Sequence, residues 1–506
     1  MTVTADRQVS RLTSPWTRGL AAAAAGALPA LAFPAMSLWW LAYVALVPWI
    51  LLARSAPTGR RAALDGWLGG AGFMLAVHHW LFPSLNVFIV VLALLLGTLW
   101  APWGWLLRRT LGGHPGPRRV AAALVLAPCG WLMVELVRSW QYLGGPWGLL
   151  GASQWQVAPA LRLASVGGVW LISALVVTVN TAVAALIAAP SVRAPAGAAL
   201  AAVAVGTTAV WLGAPVPDRT RTVRIAVVQP GVIEGAEARF DREEQLTRTL
   251  AGQRVDLVVW GESSVGFDLS SRPDLADRLA ALAREADADV LVNVDAQRAD
   301  GRGISKTSVL VGADGITGPS YDKMRLVPFG EYIPFRSVLG WATSVGKAAG
   351  EDRRRGDRQV VMTAGNLRFG PLVCFEAAFP DMSRKLADDG AQLLVAQSST
   401  SSFQGSWAPP QHASLAALRA AETWRPMVHA TLTGVSAVYD GQGRQVGSWL
   451  GTSASTAAVY QVPLSEGRSP YVRFGDWVPH LALLVVLLAA GYEVSLRVRR
   501  TARESR

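Results

Sequence analysis

The chain has little cysteine, with only 2 in 506 residues. Cys129 lies inside an apolar run and Cys374 in a polar segment, so we expect no disulfide between them and no disulfide framework. The sequence also lacks a glycine-rich phosphate loop, a zinc-type cysteine spacing and an RNA-binding signature. His78 and His79 are adjacent and would point in different directions on a helix, which does not favour a metal site. We therefore expect no metal and no cofactor.

Charged residues are scarce as well. They make up 16% of the chain, whereas hydrophobic residues make up 51%, and ordinary soluble proteins have about 25% charged residues. The apolar excess lies before Pro215 and after Gly475, and the segment between them has the composition of a soluble domain. The sequence therefore predicts a membrane protein that carries one water-facing domain.

Eight apolar runs approach the roughly 20 residues that a helix needs to cross a bilayer. They are 19–35, 37–53, 62–82, 85–107, 119–137, 163–189, 195–213 and 477–496. Pro29, Pro34 and Pro48 interrupt the first two runs, so the borders of these two are the least defined. The first run also has the length of a signal peptide, but no clear cleavage site precedes the second run, which favours a retained helix.

Arginines cluster at the ends of these runs, and short cytoplasmic loops are enriched in Lys and Arg. If the N-terminus is cytoplasmic, eight crossings place the arginine-rich loops 54–61, 108–119 and 190–194 and the tail after Arg497 in the cytoplasm. The same topology puts the long segment 214–476 outside and the C-terminus inside. These arginines account for much of the net charge of +12, and we expect no nucleic-acid partner.

The outside segment alternates between strand patterns and helix patterns. VRIAVVQP (223–230) and VDLVVWGES (255–263) are typical of buried strands, and DLADRLAALAREAD (274–287) has a helical period. We therefore predict a polytopic α-helical membrane domain plus an extracytoplasmic α/β domain. The expected boundaries are 1–213 for the membrane domain with seven helices, 219–473 for the α/β domain, 477–497 for the eighth helix and 498–506 for a basic cytoplasmic tail.

Three segments of the α/β domain carry reactive groups at or near strand ends, where sites in open α/β sheets collect. They are VVWGES with Glu262, YDKMRLVPFGEYIP with Lys323 and LVCFE with Cys374. Lysine is rare in this arginine-rich chain, so a retained lysine suggests a need for a compact ammonium group. The four lysines are Lys306, Lys323, Lys347 and Lys385.

A carboxylate, an ammonium and a thiol together suit acyl transfer through a thioester. The carboxylate can accept the thiol proton, while the ammonium can lower the thiol pKa and stabilise an oxyanion. The alternative is that Cys374 is a small buried hydrophobic residue, as a single cysteine after a strand often is.

The three segments resemble the nitrilase superfamily, whose Glu–Lys–Cys triad lies on an αββα sandwich. The longer pattern Y-x-K-x-x-L-V-P-F-G-E-Y-x-P, in a chain with eight apolar runs, more specifically resembles the apolipoprotein N-acyltransferase family. GPWGLLGASQ (145–154) and PYVRFGDW (470–477) resemble that family too, so the likeness covers nearly the whole chain.

The resemblance implies that Glu262 is the general base, Lys323 the oxyanion-stabilising cation and Cys374 the nucleophile. It also implies supporting roles for Glu331, a second glutamate near the cysteine, and for Glu376, two places after it.

The chain departs from the family pattern in two places. The family usually has Tyr where this chain has Phe375, which keeps the ring and loses the hydroxyl. It often has an asparagine-rich stretch where this chain reads QSSTSSFQGSW (397–407), so the resemblance assigns no substrate contacts to this stretch.

The activity implied by the resemblance is transfer of a fatty acyl chain to the N-terminal α-amine of a diacylglyceryl-cysteine lipoprotein. A membrane phospholipid would be the acyl donor, the apolipoprotein the acceptor, and a thioester on Cys374 the intermediate of a ping-pong reaction. The location implied is the bacterial inner (plasma) membrane, where the lipid bilayer surrounds the helices.

Two other readings compete with this activity. One is a membrane-anchored nitrilase-type amidase that acts on a small amide, although a single crossing would suffice for it. The other is a transporter or sensor, but its helices should carry paired polar residues, and the apolar runs are nearly uncharged.

Overall fold

The computed structural model describes residues 14–189, 192–297, 301, 303–340 and 352–504. These residues form a helical region and a domain built on two β-sheets. Parts of the expected cytoplasmic segments, residues 1–13, 190–191 and 505–506, lie outside the described residues, as does Lys347.

Five described helices are long and apolar enough to cross a membrane. They are Phe88–Leu111, Pro117–Arg138, Ala158–Ala188, Arg193–Gly213 and Trp477–Arg499. The described α-helices of this region are Pro15–Ala27, Val47–Arg54, Gly59–His78, Phe82–Leu85, Phe88–Gly97, Ala101–Leu111, Pro117–Arg138, Ala158–Ala188, Arg193–Gly213 and Trp477–Glu504. The chain is therefore a membrane protein, while the count of eight crossings stays a prediction.

The first three predicted crossings are the ones that the length and composition of the helices do not support. Pro15–Ala27 passes into a 3₁₀ turn at Leu28–Ala32, because Pro29 cannot continue the hydrogen-bonding pattern of an α-helix. Trp39–Arg54 is a shorter apolar helix. Gly59–His78 has 20 residues but carries the buried Asp65, which is paired with two arginines.

Glycines allow the helices of this region to approach closely. A Cβ on Gly104 of helix Ala101–Leu111 would lie 2.3 Å from the carbonyl oxygen of Ala62 in helix Gly59–His78. Small residues at helix crossings are typical of membrane proteins, because packing rather than hydrophobic burial holds their helices together.

The other domain contains two β-sheets. Its strands are β1 Asp218–Gln229, β2 Leu257–Trp260, β3 Val290–Gln297, β4 Ile304–Gly312, β5 Gly315–Asp322, β6 Met362–Ala364, β7 Leu367–Val373, β8 Leu393–Ser398, β9 Met427–Thr431, β10 Ala437–Tyr439 and β11 Thr456–Glu466. One sheet has the order β11-β1-β2-β3-β4-β5 and the other β10-β9-β8-β7-β6. Strands β1 to β3 run parallel, as do β7 to β9, so within each set the carboxyl ends lie at one edge of the sheet.

Successive side chains of a strand point to opposite faces of the sheet, so alternate residues pack in two different apolar layers. On β1, Ile225 and Val227 face the other sheet and pack in one cluster with residues of β7 and β8. Ala226 and Val228 face outward and pack against helices. The predicted αββα sandwich is therefore confirmed.

Helices cover both outer faces of the sandwich. Ala236–Arg248 and Pro273–Ala286 cover the six-stranded sheet, while Pro380–Asp388 and Ala408–Thr423 cover the five-stranded one. Two further short α-helices among the described residues are Arg336–Leu339 and Pro470–Phe474.

The helix Ala408–Thr423 joins the sandwich to the membrane helices. Glu422 Oε1 accepts a hydrogen bond of 2.8 Å from Val169 N, which follows a kink where Gly168 has a φ of +67°. The Arg419 guanidinium donates to the same carboxylate oxygen at 2.9 Å. Both side chains are buried, so the contact fixes the sandwich against helix Ala158–Ala188.

We predict that Gly104→Ala destabilises the detergent-solubilised protein by about 1–3 kcal/mol, the usual cost of overpacking. The new methyl group would strike the Ala62 carbonyl oxygen, whereas nothing lies within 4 Å of a Cβ on Gly206. Gly206→Ala is therefore the matched control, and it should be neutral or stabilising because alanine is the better helix former. Thermal unfolding measures both, and equal melting temperatures for the two variants would contradict the close packing.

Candidate active site

The site lies where strand ends of the two sheets meet. Glu262 comes two residues after β2, and its backbone N–H donates to the carbonyl of Ser398, the last residue of β8, at 3.1 Å. Between β2 and Glu262, a Cβ on Gly261 would lie 1.9 Å from Leu432 N, so only glycine fits there. The local sequence WGES thus brings the carboxylate against the opposite sheet.

Lys323 follows β5 directly and is fully buried. Its Nζ donates to Glu262 Oε1 at 3.0 Å and to Glu331 Oε1 at 2.8 Å. The structure therefore brings together three of the residues predicted from the sequence. One ammonium lies between two buried carboxylates.

A second ammonium, which the sequence analysis did not place in the site, belongs to Lys306 of β4. Its Nζ donates to the same Glu262 Oε1 at 2.9 Å and to Ser263 Oγ at 3.1 Å. The backbone places it there, since Lys306 lies opposite Asp295 of β3, and its carbonyl accepts from Lys323 N at 2.9 Å. The scarcity of lysine in the chain was the one sequence signal for it.

The two glutamates differ in the oxygens that they leave available. Both lysines bind Oε1 of Glu262, and among the described residues no donor binds its Oε2. Glu331 uses Oε1 for Lys323 and Oε2 for the backbone N–H of Val327, at 2.8 Å each. Glu262 is thus the carboxylate with an oxygen that can accept a proton.

Cys374 comes directly after β7 and has a φ of 52°, in the left-handed region that a non-glycine residue seldom adopts. Its side chain is partly exposed to a cavity and lies 3.8 Å from the carbonyl oxygen of Ser399. Cys374 lines the same cavity as the two lysines and Glu262.

Glu376 shapes the turns on both sides of the site. Its Oε2 accepts from Val373 N at 2.7 Å, just before the cysteine. Its Oε1 accepts from the Tyr321 hydroxyl at 2.8 Å, Met324 N at 2.7 Å and Arg325 N at 3.0 Å, on both sides of Lys323. With both oxygens occupied, Glu376 links the lysine turn to the cysteine turn.

His412, on the helix Ala408–Thr423, also supports the cysteine turn. Its Nε2 lies 3.0 Å from the carbonyl oxygen of Cys374. Burial lowers the pKa of His412 to about 4, so the ring is neutral at physiological pH. Since a carbonyl only accepts, Nε2 carries the proton and donates it to this bond.

The charges around the thiol determine its resting state. Burial, together with the neighbouring Glu262, raises the pKa of the Cys374 thiol, although Lys323 opposes that rise. Burial would also raise the pKa of Glu262, but Lys306 and Lys323 outweigh it and hold that pKa well below its usual range. The resting site therefore contains a protonated thiol beside an ionised carboxylate.

The cavity that contains these groups has a volume of about 680 Å³. Its polar end is lined by Glu262, Lys306, Lys323, Glu331 and Cys374. Its other walls are mostly apolar and come from helices Phe82–Leu85 and Phe88–Gly97 and from the segment after Lys323, including Leu85, Ile89, Ala93, Phe329 and Phe335. A polar reaction centre thus opens onto a space suited to a long apolar chain.

The loop GPWGLLGASQ (145–154) contributes Trp147 to the cavity lining, beside residues 142–144 that precede it. A Cβ on Gly145 would lie 2.6 Å from the ring of Phe375, so the phenylalanine that replaces the usual tyrosine packs against this glycine. Glu135 and Arg138 hold the loop. The first accepts from Leu150 N at 2.7 Å, and the second donates to the carbonyl of Trp147 at 2.5 Å. Both act on the loop backbone.

The stretch 397–407 contributes structure and cavity wall. Gln397 is buried and bridges the sheets, donating to the Trp260 carbonyl at 2.9 Å and accepting from Ser308 Oγ at 2.6 Å. Residues 399–403 line the cavity. The roles assigned to Glu262, Lys323, Cys374, Glu331 and Glu376 remain predictions, although their arrangement is now described.

Two family models match the chain. The apolipoprotein N-acyltransferase N-terminal domain matches residues 25–182, and carbon-nitrogen hydrolase matches residues 224–469. The apolipoprotein N-acyltransferase of Azotobacter vinelandii is 32% identical over 527 residues, which cover 97% of this chain and 98% of the relative. Those of Allorhizobium ampelinum and Geobacter metallireducens are 31% and 29% identical, and the alignments cover 86% and 90% of this chain and 88% and 91% of the relatives.

We predict that iodoacetamide alkylates Cys374 slowly at neutral pH. The pH at which the alkylation rate reaches half of its maximum should lie above about 8.5, the ordinary pKa of a thiol. The thiolate is the reactive form, and burial raises the pKa of this thiol, so alkylation should accelerate as the pH rises. Mass spectrometry of the Cys129→Ser protein measures it, because Cys374 is then the only cysteine. A midpoint at or below the ordinary value would contradict a protonated resting thiol.

Proposed function

The chain belongs to the apolipoprotein N-acyltransferase family, and from that premise we propose how this acyltransferase uses its site. We propose that it moves a fatty acyl chain from a membrane phospholipid to the α-amine of a diacylglyceryl-cysteine at a lipoprotein N-terminus. The observation that carries the proposal is the cavity that joins Cys374, Glu262 and Lys323 to apolar walls. The family membership confirms the resemblance drawn from the sequence.

In the first half of the reaction, Glu262 Oε2 takes the proton from Cys374 as the sulfur attacks the ester carbonyl of the phospholipid. The developing oxyanion is stabilised by Lys323, whose ammonium is fully buried and therefore acts in a medium of low dielectric constant. The ester C–O bond breaks, the proton passes from Glu262 to the leaving oxygen, and a lysophospholipid departs. A thioester then joins the acyl chain to Cys374.

In the second half, the α-amine of the acceptor attacks the thioester carbonyl. Glu262, again ionised, accepts a proton from the amine and passes it to the sulfur as the C–S bond breaks, so that the amide forms and the Cys374 thiol and the Glu262 carboxylate are restored. Conversion of a thioester to an amide is downhill, so this step requires mainly positioning of the amine and exclusion of water.

Glu331 and Glu376 support the reacting residues and do not react themselves. Glu331 balances the charge of Lys323, and its second oxygen is held by Val327 N. Glu376 fixes the two turns that carry Lys323 and Cys374. These contacts support positioning roles for both glutamates.

The apolar walls explain why the site belongs next to a bilayer. At about 0.8 kcal/mol per CH₂ group, moving a 16-carbon chain into water would cost on the order of 12 kcal/mol. Leu95 lines the cavity and is 63% exposed on a helix of membrane-crossing length. This supports an opening through which acyl chains enter from the lipid phase.

We also propose that the sandwich lies on the extracytoplasmic side of the inner membrane and that both termini are cytoplasmic. The support comes from the arginine-rich ends of the helices, which contact one another. Arg54 donates to the Leu111 carbonyl at 2.9 Å, and Arg108 donates to the Ala56 carbonyl at 2.7 Å. Clustered arginines of this kind favour the cytoplasmic face.

We expect the purified enzyme, in vesicles of phospholipid with a labelled acyl chain, to gain a hydroxylamine-labile label on Cys374. Glu262→Gln should slow labelling by about 10²–10⁴-fold, the usual contribution of a general base. Cys374→Ala should abolish labelling. The exposed Glu285, which pairs with Arg248, provides the matched control Glu285→Gln, and it should label normally.

A diacylglyceryl-cysteine peptide added afterwards should discharge the label as an amide. If no label forms and the protein instead releases ammonia from small amides, the proposed reaction is wrong and the amidase alternative is correct.

We further expect Ala93→Phe to shift the acyl preference toward shorter chains, because Ala93 is buried and lines the apolar wall. Leu94→Phe is the matched control, since Leu94 is exposed on the same helix and does not line the cavity. Competition between phospholipids with long and short labelled chains measures the preference. An identical preference in both variants would show that the acyl chain does not occupy this wall.

A further inference from the structure

Lys306 is a cation of the reaction site to which the proposed reaction gives no role. Its side chain is 11% exposed, and it faces Glu262 at 2.9 Å, Glu331 at 3.6 Å and Asp295 at 3.7 Å. It lies beside Lys323, since the backbone carbonyl of Lys306 accepts from the N–H of Lys323. Two like charges on adjacent chain segments would normally repel each other, so the arrangement depends on the acidic residues around them.

The charges of the site balance when Lys306 is included. Three acids (Glu262, Asp295 and Glu331) face three cations (Lys306, Lys323 and Arg353, which pairs with Asp295). Two other titratable groups lie at the cysteine turn. Glu376 is compensated by hydrogen bonds from three backbone N–H groups and the Tyr321 hydroxyl, and His412 is neutral. Without Lys306 the site would have one uncompensated negative charge, and ionising Cys374 would add another.

Lys306 also bears on which oxygen of Glu262 is available. Because Lys306 and Lys323 both bind Oε1, the carboxylate is held twice at one oxygen, and no donor among the described residues binds Oε2. With Lys323 alone, the carboxylate could rotate and place either oxygen on the single ammonium.

We propose that Lys306 is a positioning residue of the acyl-transfer reaction, which fixes Glu262 with Oε2 free and supplies the positive charge that thiolate formation at Cys374 requires. This inference rests on the proposed function, because it assumes that Glu262 accepts the thiol proton. Lys323 differs in that it is fully buried and binds both glutamates.

The first test is the alkylation of Cys374 by iodoacetamide in Lys306→Met, on the Cys129→Ser background. Loss of a positive charge near the thiol should raise its pKa, so the alkylation midpoint should move up by about 1 pH unit or more. Lys306→Arg keeps the positive charge, so its alkylation midpoint should lie close to that of the Cys129→Ser protein. The matched control is Lys385→Met, whose lysine is 63% exposed and pairs with Asp389 on a surface helix.

The second test is the rate at which labelled phospholipid acylates Cys374. Lys306→Met should slow acylation by about 10²-fold, the lower end of a general-base contribution. If Lys306 acts through Glu262, adding Lys306→Met to Glu262→Gln should slow the reaction little further, since residues of one unit are not additive.

The outcomes distinguish this inference from the proposed function. If the wild-type protein forms no acyl adduct, the proposed function fails, and the alkylation arm still decides whether Lys306 controls the thiol. An unchanged alkylation midpoint in a Lys306→Met protein that unfolds at the wild-type temperature would overturn the inference. So would fully multiplicative losses in the double variant.

Discussion

A fully buried lysine, Lys323, and a lysine that is 11% exposed, Lys306, bind the same oxygen of Glu262, and the proposed chemistry depends on that arrangement. A buried carboxylate must be compensated by positive charge or hydrogen bonds, because its desolvation is costly. Here the compensation falls entirely on Oε1, so it does not occupy the oxygen that would receive a proton. Glu331, in contrast, has both oxygens bound, which suits charge balance and not proton transfer. The same cations favour the thiolate that would form beside them.

The sandwich holds this arrangement by joining strand ends that are far apart in the chain. Glu262 follows β2, Lys323 follows β5 and Cys374 follows β7, and Glu376 bonds the last two turns together. Hydrogen bonds to the backbone of these turns therefore support the reaction centre, and the cavity beside it is lined by apolar helices. A polar reaction centre beside an apolar cavity fits substrates whose reacting groups are polar and whose acyl chains remain in lipid.

Several residues of the site could be predicted because each one follows a short apolar strand pattern in the sequence. An apolar strand followed by Glu262 or Cys374 indicates a side chain at a sheet edge, and the alternating strand and helix patterns indicate an α/β domain. The αββα sandwich, in contrast, was implied by the resemblance to the nitrilase superfamily. Lys306 could not be found in this way, since it lies within β4 and enters the site only through its register with β3. The number of membrane crossings could not be derived either, because hydropathy does not show whether a run broken at Pro29 still spans a bilayer.

The most direct test of the account is a structure of the enzyme acylated by phospholipid in the absence of an acceptor amine. The account predicts a thioester on Cys374 Sγ, its carbonyl oxygen within hydrogen-bonding distance of Lys323 Nζ, Glu262 Oε2 facing the sulfur, and the acyl chain along Ile89 and Ala93. An acyl chain attached to another residue, or a thioester whose carbonyl points away from Lys323, would contradict it.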